Sequence, residues 1–586
     1  MATLQNEIIP QDVAHIWLTT FTDAITKGDV AAIVDNFLPF GWFKDVLTYT
    51  WNFRSLEGPE KITAYLSASG KLTPGYISAV KPYEDRWVRP SAVPAGKQTS
   101  VEVPFTFETP IAFGRGYARL LADASGQWKA LAVCMSLTDL KGHEEQKFES
   151  GIYGGHTLAW ADVYAERKLK VETEPQILIV GASQVGLITA AVCKQNGYRA
   201  LLVEKTPRVG DIWRNRYPTL ALHTTRRQHE MLYQPYPTTW PQFTPKDKFA
   251  DWSESYAQHQ DLVVWTSSQI EGKPVYNKDD RHWDVIINRN GTRSVLHPTH
   301  IVMATGALGG PVIVDLPGQS EFKGTALHAS DYQGGPPYAG KRAIVIGAGN
   351  SSIDICQDLC FHKAKSVTMV QRSVTCVIGG ETAEKNLMRM FKDDEPCAVG
   401  DLKFSTMPIG LLKKIQRSRT QEMWDEEPEL FEKLRKGGVK LYMGPNGEGQ
   451  LIMALERGGG FWVDKGGADL IANGDVKVKQ GTEPIAFTET GLKFADGSEL
   501  EADVVIFATG FTTIRETAKQ IFGEETIKDM GPLHGLDHEG EFNAFRPTGH
   551  PGLWFATGGT MTARSLSKPL VMQFKAMELG LMPYAV

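Results

Sequence analysis

The 586-residue chain has only six cysteines, Cys134, Cys193, Cys356, Cys360, Cys376 and Cys397, and none of them forms a Cys-x-x-Cys pair. Zinc and dithiol sites of the usual spacing are thereby excluded, and no disulfide framework is expected. Cys356 and Cys360 lie one turn apart on a predicted helix, where they read as two small side chains facing a core. Also missing is any run approaching the ~20 apolar residues that span a bilayer, and Met1–Pro10 has no basic stretch leading into an apolar one. The expectation is therefore no transmembrane segment and a cytoplasmic location. Nor is there a surplus of charge: 62 Lys and Arg against 68 Asp and Glu leave −6, which gives no reason for a nucleic acid or anionic membrane partner.

What is present is enough apolar residue, 42% of the chain, for several cores, and the length implies two to four domains. Val13, Trp17, Phe21 and Ile25 recur at helical spacing, and after Gly28-Asp29 a second set follows at Val30, Ile33, Val34 and Phe37. Val101, Val103, Phe105 and Phe107 then alternate as in a strand, and Arg115–Leu121 and Trp128–Leu137 flank a turn at Asp123–Gly126. This order predicts a small α+β unit over residues 1–145, with helices covering one face of a curved antiparallel sheet. A polar, Gly-rich linker follows over 146–174, with a helical piece near Trp160–Lys168.

From Gln176 the rhythm becomes strand, Gly-rich turn, helix, strand, as in a parallel sheet with crossovers. Ile177–Val180 leads into Gly181-Ala-Ser-Gln-Val-Gly186. Gly181 permits the tight turn, Gly186 the close packing of helix on strand, and the helix N-terminus offers N–H groups to a pyrophosphate. Ser183 replaces the usual middle glycine. The next strand, Ala200–Val203, ends in Glu204, placed to accept both ribose hydroxyls of an adenosine and to repel a 2′-phosphate. Site one therefore fits FAD or NAD. A second turn, Gly347-Ala-Gly349-Asn350-Ser351-Ser352, follows Ala343–Ile346 in the same context, with Ser352 in the third glycine's place. Its neighbouring strand ends in Gln371-Arg372-Ser373, so a guanidinium and a hydroxyl stand where site one has a carboxylate, and Arg372 can pair bidentately with a 2′-phosphate. Site two reads as NADPH. Two matching apolar strands run into Ala304-Thr305-Gly306 and Ala508-Thr509-Gly510, and suit positions beneath the bound nucleotides.

Between the two turns lies Phe322-Lys-Gly-Thr-Ala-Leu-His328-Ala-Ser-Asp-Tyr332, which resembles the F-x-G-x-x-x-H-x-x-x-[W/Y] signature of flavin-containing monooxygenases and their YUCCA-type and Baeyer–Villiger relatives. Gly210-Asp-Ile-Trp213-Arg214 through His223 is similar to that family's flavin-contacting segment, with Asp211 where a second glycine is usual, and Pro551 through Gly558-Gly559 resembles its last FAD strand and turn. The resemblance runs from about Gln176 to Gly580. It implies an α/β architecture of two Rossmann-like dinucleotide-binding domains: FAD over 175–318 and again 483–586, NADPH over 319–482. It also implies that NADPH reduces FAD and that a C4a-peroxyflavin transfers one oxygen atom from dioxygen to a small organic substrate. N- or S-oxygenation, hydroxylation, oxidative decarboxylation and Baeyer–Villiger insertion all remain open.

His223 aligns with a family position near the flavin ring, as a hydrogen-bond donor or as a structural loop histidine. Asn350 would hold the nicotinamide end or pyrophosphate, or cap its helix, and His328 would act on domain coupling or NADP orientation. Trp213, Arg214, Thr305, Ser351, Ser373, Thr509, Gly510 and Gly558 complete the expected cofactor contacts; no metal ligands are expected. Arg226 and Arg227 read as a solvated basic pair or as receivers of an anion. The N-terminal unit resembles the cone-shaped fold of nuclear transport factor 2 and SnoaL-type cyclases, with His15, Asp45 and Arg54 as pocket candidates and a lid or dimer contact as its alternative role; a homodimer stays open. Two other readings compete. A disulfide reductase needs a redox cysteine pair that the sequence lacks, and a non-catalytic NADPH-sensing flavoprotein would carry the same two turns.

Overall fold

The computed structural model describes residues 8–584; the leader reading of Met1–Pro10 falls largely on residues outside this range. The N-terminal unit opens with helix Pro10–Lys27, whose buried stripe of Val13, Trp17, Phe21 and Ile25 is the one read from the sequence. Gly28 ends it in the left-handed region at φ 69°, a conformation that glycine adopts without Cβ strain. The second helix is short, Val30–Asp35, and Phe37 begins a strand rather than closing that helix. The sheet runs Phe53–Glu57, Phe37–Val46, Trp128–Leu140, Ala112–Ala122, Gln98–Glu108, Ser78–Pro82, with Ser91–Ala95 also paired to Gln98–Glu108. It is not wholly antiparallel as expected. Phe37–Val46 and Trp128–Leu140 lie parallel, because the first and last strands of the unit close side by side after the intervening hairpins.

Helix Trp160–Thr173 occupies the second half of the linker, and Glu172 accepts the indole N–H of Trp265 at 2.9 Å, which fixes the helix to the edge of the next sheet. That sheet is parallel throughout, in the order Val263–Trp265, Ala200–Val203, Ile177–Val180, His300–Met303, Leu553–Phe555. Its strands are short and, His300 apart, apolar because helices and a three-stranded meander cover both faces. In that meander Asn290 (φ 50°) and Gly291 (φ 85°) form the tight hairpin turn that their dipeptide predicts.

The second parallel sheet runs Thr325–His328, Val504–Phe507, Arg342–Ile346, Ser366–Gln371, Val476–Gln480. This moves a boundary. The segment from 483 was expected to return to the first domain, yet Val504–Phe507 pairs between two strands of the second sheet, and Phe487, Leu492 and Phe494 bury against Ile344, Ile346 and Phe507. The chain returns to the first sheet with Leu553–Phe555 and the helix Thr560–Glu578.

The N-terminal unit is not appended loosely, since its apolar core is continuous with that of the first parallel sheet. Lys44 pairs with Glu541, Arg54 with Glu539, and Lys568 with Asp139 and Glu145.

Candidate functional site

Both Gly-rich turns sit at carboxyl ends of central strands, where open parallel sheets place ligands. Gly181 has φ 106°, and a Cβ there would come within 2.6 Å of the Ala304 carbonyl oxygen; Gly186 is tighter still, its Cβ falling 2.0 Å from the Gly181 carbonyl oxygen. Helix Gln184–Gln195 therefore lies against its strand at a distance only glycine allows, and no side chain caps its N-terminus. Ser183 points its hydroxyl at the Gln184 side chain and accepts the Trp213 indole N–H at 3.3 Å, so Trp213 closes over the turn. Glu204 is buried at the neighbouring strand end, where its carboxylate accepts the N–H groups of Ala182 and Thr206, each at 2.9 Å. Thr305, exposed at the end of His300–Met303, and Gly558 (φ 124°), after Leu553–Phe555, lie on the same edge of the sheet. The helix beginning at Thr560 also lacks a side-chain cap, so a second free N-terminus reaches that edge.

The second turn repeats the plan. Gly347 has φ 125° and a Cβ would meet the Ala508 carbonyl oxygen at 2.4 Å, whereas a Cβ on Gly349 would meet only the Phe461 carbonyl oxygen at 3.8 Å. Ser352 Oγ is buried beneath this turn without a hydrogen-bond partner. Helix Asn350–Phe361 has no side-chain cap; Asn350 instead accepts the Val463 N–H at 3.0 Å and so is not the helix cap the sequence left open. Ser351 is half-buried at the helix start. Arg372 and Ser373 are exposed at the neighbouring strand end, with the Arg372 side chain 76% exposed and its guanidinium 3.5 Å from a less exposed Glu483. Thr509 donates to the Val312 carbonyl at 2.9 Å, and Gly510 turns at φ 84°.

His328 has both ring nitrogens committed. Nδ1 accepts the Ser330 N–H at 3.1 Å, and Nε2 lies 3.1 Å from the Gly510 carbonyl, to which it donates. Burial lowers its pKa, which agrees with a neutral ring in that arrangement. Four of the sequence candidates fall elsewhere. Arg214 faces away from the turn into an ion cluster with Asp211, Asp251 and Glu254. In the N-terminal unit His15 is exposed, Asp45 is fully buried and accepts the Thr48 and Tyr49 N–H groups and the Tyr65 hydroxyl, and Arg54 binds Glu539. Asp45 and Arg54 are cross-strand neighbours that both reach Tyr65, but they are held in these contacts and His15 lies apart from them. The interior where a pocket was considered is packed with Phe21, Phe43, Tyr49 and Phe105.

The segment from Trp213 to Glu230 bridges the two units. Tyr217 donates to Asp354 of the second helix at 2.7 Å, and His223 Nε2 lies 3.7 Å from the same carboxylate. Arg226 pairs with Asp393 and Arg227 with Glu230, so the pair is engaged rather than solvated. Sequence reading missed Asp354, which sits in the middle of an ordinary helix. It missed Arg564 too, a buried guanidinium that holds Asp401 at 2.7 Å and the Gln228 and Glu230 carbonyls. It also missed His229, buried between Thr224 and Thr244, its pKa lowered to about 3 by burial. Asp354 and Arg564 carry no local signal because their partners lie more than a hundred residues away, and His229, though bonded within its own segment, is buried only by the fold.

Residues 174–392 match a family profile described as flavin-binding monooxygenase-like. Over 346 residues the chain is 28% identical to the indole-3-pyruvate monooxygenase YUCCA1 of Oryza sativa subsp. japonica, covering 58% of this chain and 77% of that protein. To YUCCA4 of the same plant it is 29% identical over 393 residues, covering 64% and 82%. Among solved structures, cyclohexanone monooxygenase from Rhodococcus sp. Phi1 bound to NADP+ overlays with a TM-score of 0.48 at 15% identity, covering 70% of this chain and 85% of that one.

Proposed function

We propose that this chain, whose residues 174–392 match the flavin-binding monooxygenase-like profile, is an FAD- and NADPH-dependent monooxygenase in which the two turns divide the work. The observation that carries the reading is the pairing of two uncapped helix N-termini behind strained glycines with opposite ribose-end chemistry: buried Glu204 at one, open Arg372 at the other. The residues fit the two groups. Free N–H groups at Gln184 and Asn350 suit two pyrophosphates, the open space beside Gly349 would be filled by any side chain, and the orphaned Ser352 hydroxyl awaits an acceptor.

Bound there, NADPH would supply reducing equivalents and FAD the means of passing them to dioxygen, the chemistry by which one oxygen atom enters a substrate and the other leaves as water. The protein's part is to bind, orient and shield. Gly181, Ser183, Gly186 and Glu204 would hold FAD, with Trp213 closing over its diphosphate and Thr305 and Gly558 lining the same edge. Gly347, Gly349 and Ser351 would hold the NADPH diphosphate, and Arg372 and Ser373 its 2′-phosphate. His223, whose Nε2 lies 3.7 Å from the Asp354 carboxylate, is the candidate to donate a hydrogen bond toward the flavin. Asn350 fixes the Val463 backbone beside the turn, while His328 ties the Gly510 turn to the strand before it and is a positioning residue. We place the enzyme in the cytoplasm, whose reducing milieu suits six free thiols.

The test is direct. Purified protein should be yellow, retain FAD, and consume NADPH faster when offered amines, sulfides, ketones or 2-oxo acids, with one oxygen atom recovered in product. Protein that neither retains nor accepts flavin would end the proposal.

A further inference from the structure

The N-terminal unit lies against the part of the chain that leads away from the FAD turn. Between its sheet and the helix Thr560–Glu578 is an open cleft of about 650 Å³, with Lys81, Glu108, Arg115, Asp139 and Lys568 on its walls. The cleft adjoins an inner cavity of about 170 Å³, and the two share Arg115, Ser136, Thr138, Ser565 and Pro569. That common neck makes them a vestibule and a chamber. The chamber ends on Met561 and Thr562, in the first turn of the helix that follows Gly558-Gly559. Thr562 also packs directly under Gly558, where an added Cβ would sit 3.1 Å from its own. The chamber thus abuts the very turn assigned to FAD.

We propose that the N-terminal domain forms one wall of the substrate chamber, and that the chamber takes a small, mainly apolar, uncharged molecule with one hydrogen-bond acceptor. The inference rests on the monooxygenase reading. Its walls are largely apolar, with Phe53 from the N-terminal sheet, Leu402, Phe404 and Met407 from the preceding helical segment, and Met561 and Leu566 from the last helix. A volume of about 170 Å³ is well below the roughly 300 Å³ at which pockets for drug-sized ligands begin. The inner charges are already matched, Lys44 Nζ lying 2.9 Å from Glu541 Oε1 with both side chains buried. Arg115, at the neck, is stacked 4.6 Å over the Tyr83 ring. Arg115 is the one cation of the lining without an ion pair and it stands at the neck, so beyond the neck an added anion or cation would lose its hydration with no free counter-charge. One polar atom does lack a partner: Ser565 Oγ is buried at the neck without a hydrogen bond, and an acceptor on the ligand would satisfy it.

The experiment uses the full-length holoenzyme with methyl phenyl sulfide, cyclohexanone and, as the charged counterpart, phenylpyruvate, following substrate-stimulated NADPH consumption. Ser136→Trp and Thr138→Trp should narrow the neck and raise the KM of the neutral probes at least tenfold, while the KM for NADPH moves less than twofold. Should the tryptophans impair folding, Ser136→Leu and Ser565→Leu should still raise it at least threefold. Flavin-loaded variants whose neutral-probe KM stays within twofold of the parent would overturn the chamber. A parent enzyme that retains flavin but responds to phenylpyruvate alone, or to none of the three, would overturn the ligand class, whereas a colourless parent would overturn the proposed function instead.

Discussion

The two nucleotide turns are built alike up to the first glycine and differently after it. In both, a glycine at φ above 100° lies where a Cβ would strike a carbonyl oxygen of the facing strand, Ala304 in one and Ala508 in the other. After that, the first turn has Gly186 with a Cβ contact of 2.0 Å, Trp213 folded over it, and Glu204 buried and held by two backbone N–H groups. The second has a serine with an unpaired buried hydroxyl, an open space at Gly349, and a ribose-end arginine standing in solvent. A pre-organised, enclosed acceptor suits a cofactor that stays, because ordering costs are met on folding. An exposed cation suits one that comes and goes, since its charge steers association and little has to be undone for release.

The contrast can be broken most forcefully at Gly186. Gly186→Val places atoms inside the van der Waals distance of a backbone carbonyl, so a destabilisation of about 3 kcal/mol or more and loss of FAD are expected. Gly349→Ala, with open space before it, should leave Tm unchanged and raise only the NADPH KM. Equal effects of the two on Tm would dissolve the distinction.

Next in size is the ribose end of site two. Arg372→Ala should remove charge-assisted contacts worth about 1.5–3 kcal/mol, a tenfold to hundredfold rise in NADPH KM, with the NADH KM moving less than twofold. Parallel changes in both would show that Arg372 does not read the 2′-phosphate.

Acid should expose the enclosed side of the molecule. His229 and His300 are buried neutral with pKa values lowered to about 3, and His550 to about 4. Their folded-state pKa values lie below the unfolded value of 6.5, so the unfolded chain binds more protons as pH falls. The stability they contribute is complete above about pH 6.5 and is lost progressively toward pH 3. Tm measured by calorimetry should fall throughout that interval. A flat profile between pH 6.5 and 4 would contradict the buried neutral rings.

The smallest expected effect sharpens site two. Ser352→Ala deletes an unpartnered hydroxyl, so without nucleotide the protein should be unchanged or stabilised by up to about 1 kcal/mol. If the hydroxyl serves bound NADPH, the same change weakens binding severalfold in a direct titration.

Much of the two parallel sheets was readable locally, because short apolar runs such as Ile177–Val180 and Arg342–Ile346 lead straight into glycine turns whose geometry few other residues permit. Even the ribose-end residues follow from strand length alone. The place of Val504–Phe507 did not: its sequence suits a central strand of either sheet, and only pairing with Arg342–Ile346, across more than a hundred and fifty residues of chain, assigns it to the second. Arg214 shows the opposite failure, a family-like position whose side chain is drawn away by Asp251 and Glu254 on a helix that local reading does not bring near.

The sequence by itself determined the two turns and the charge that each offers, because backbone freedom at glycine and the chemistry of Glu204 and Arg372 are properties of single residues in short segments. Tertiary structure alone decided which strand joins which sheet, how Asp354 and Arg564 lock the units, and that the N-terminal sheet faces the last helix across a cavity. Those outcomes depend on packing between surfaces far apart in the chain, and no short stretch encodes the shape of its partner.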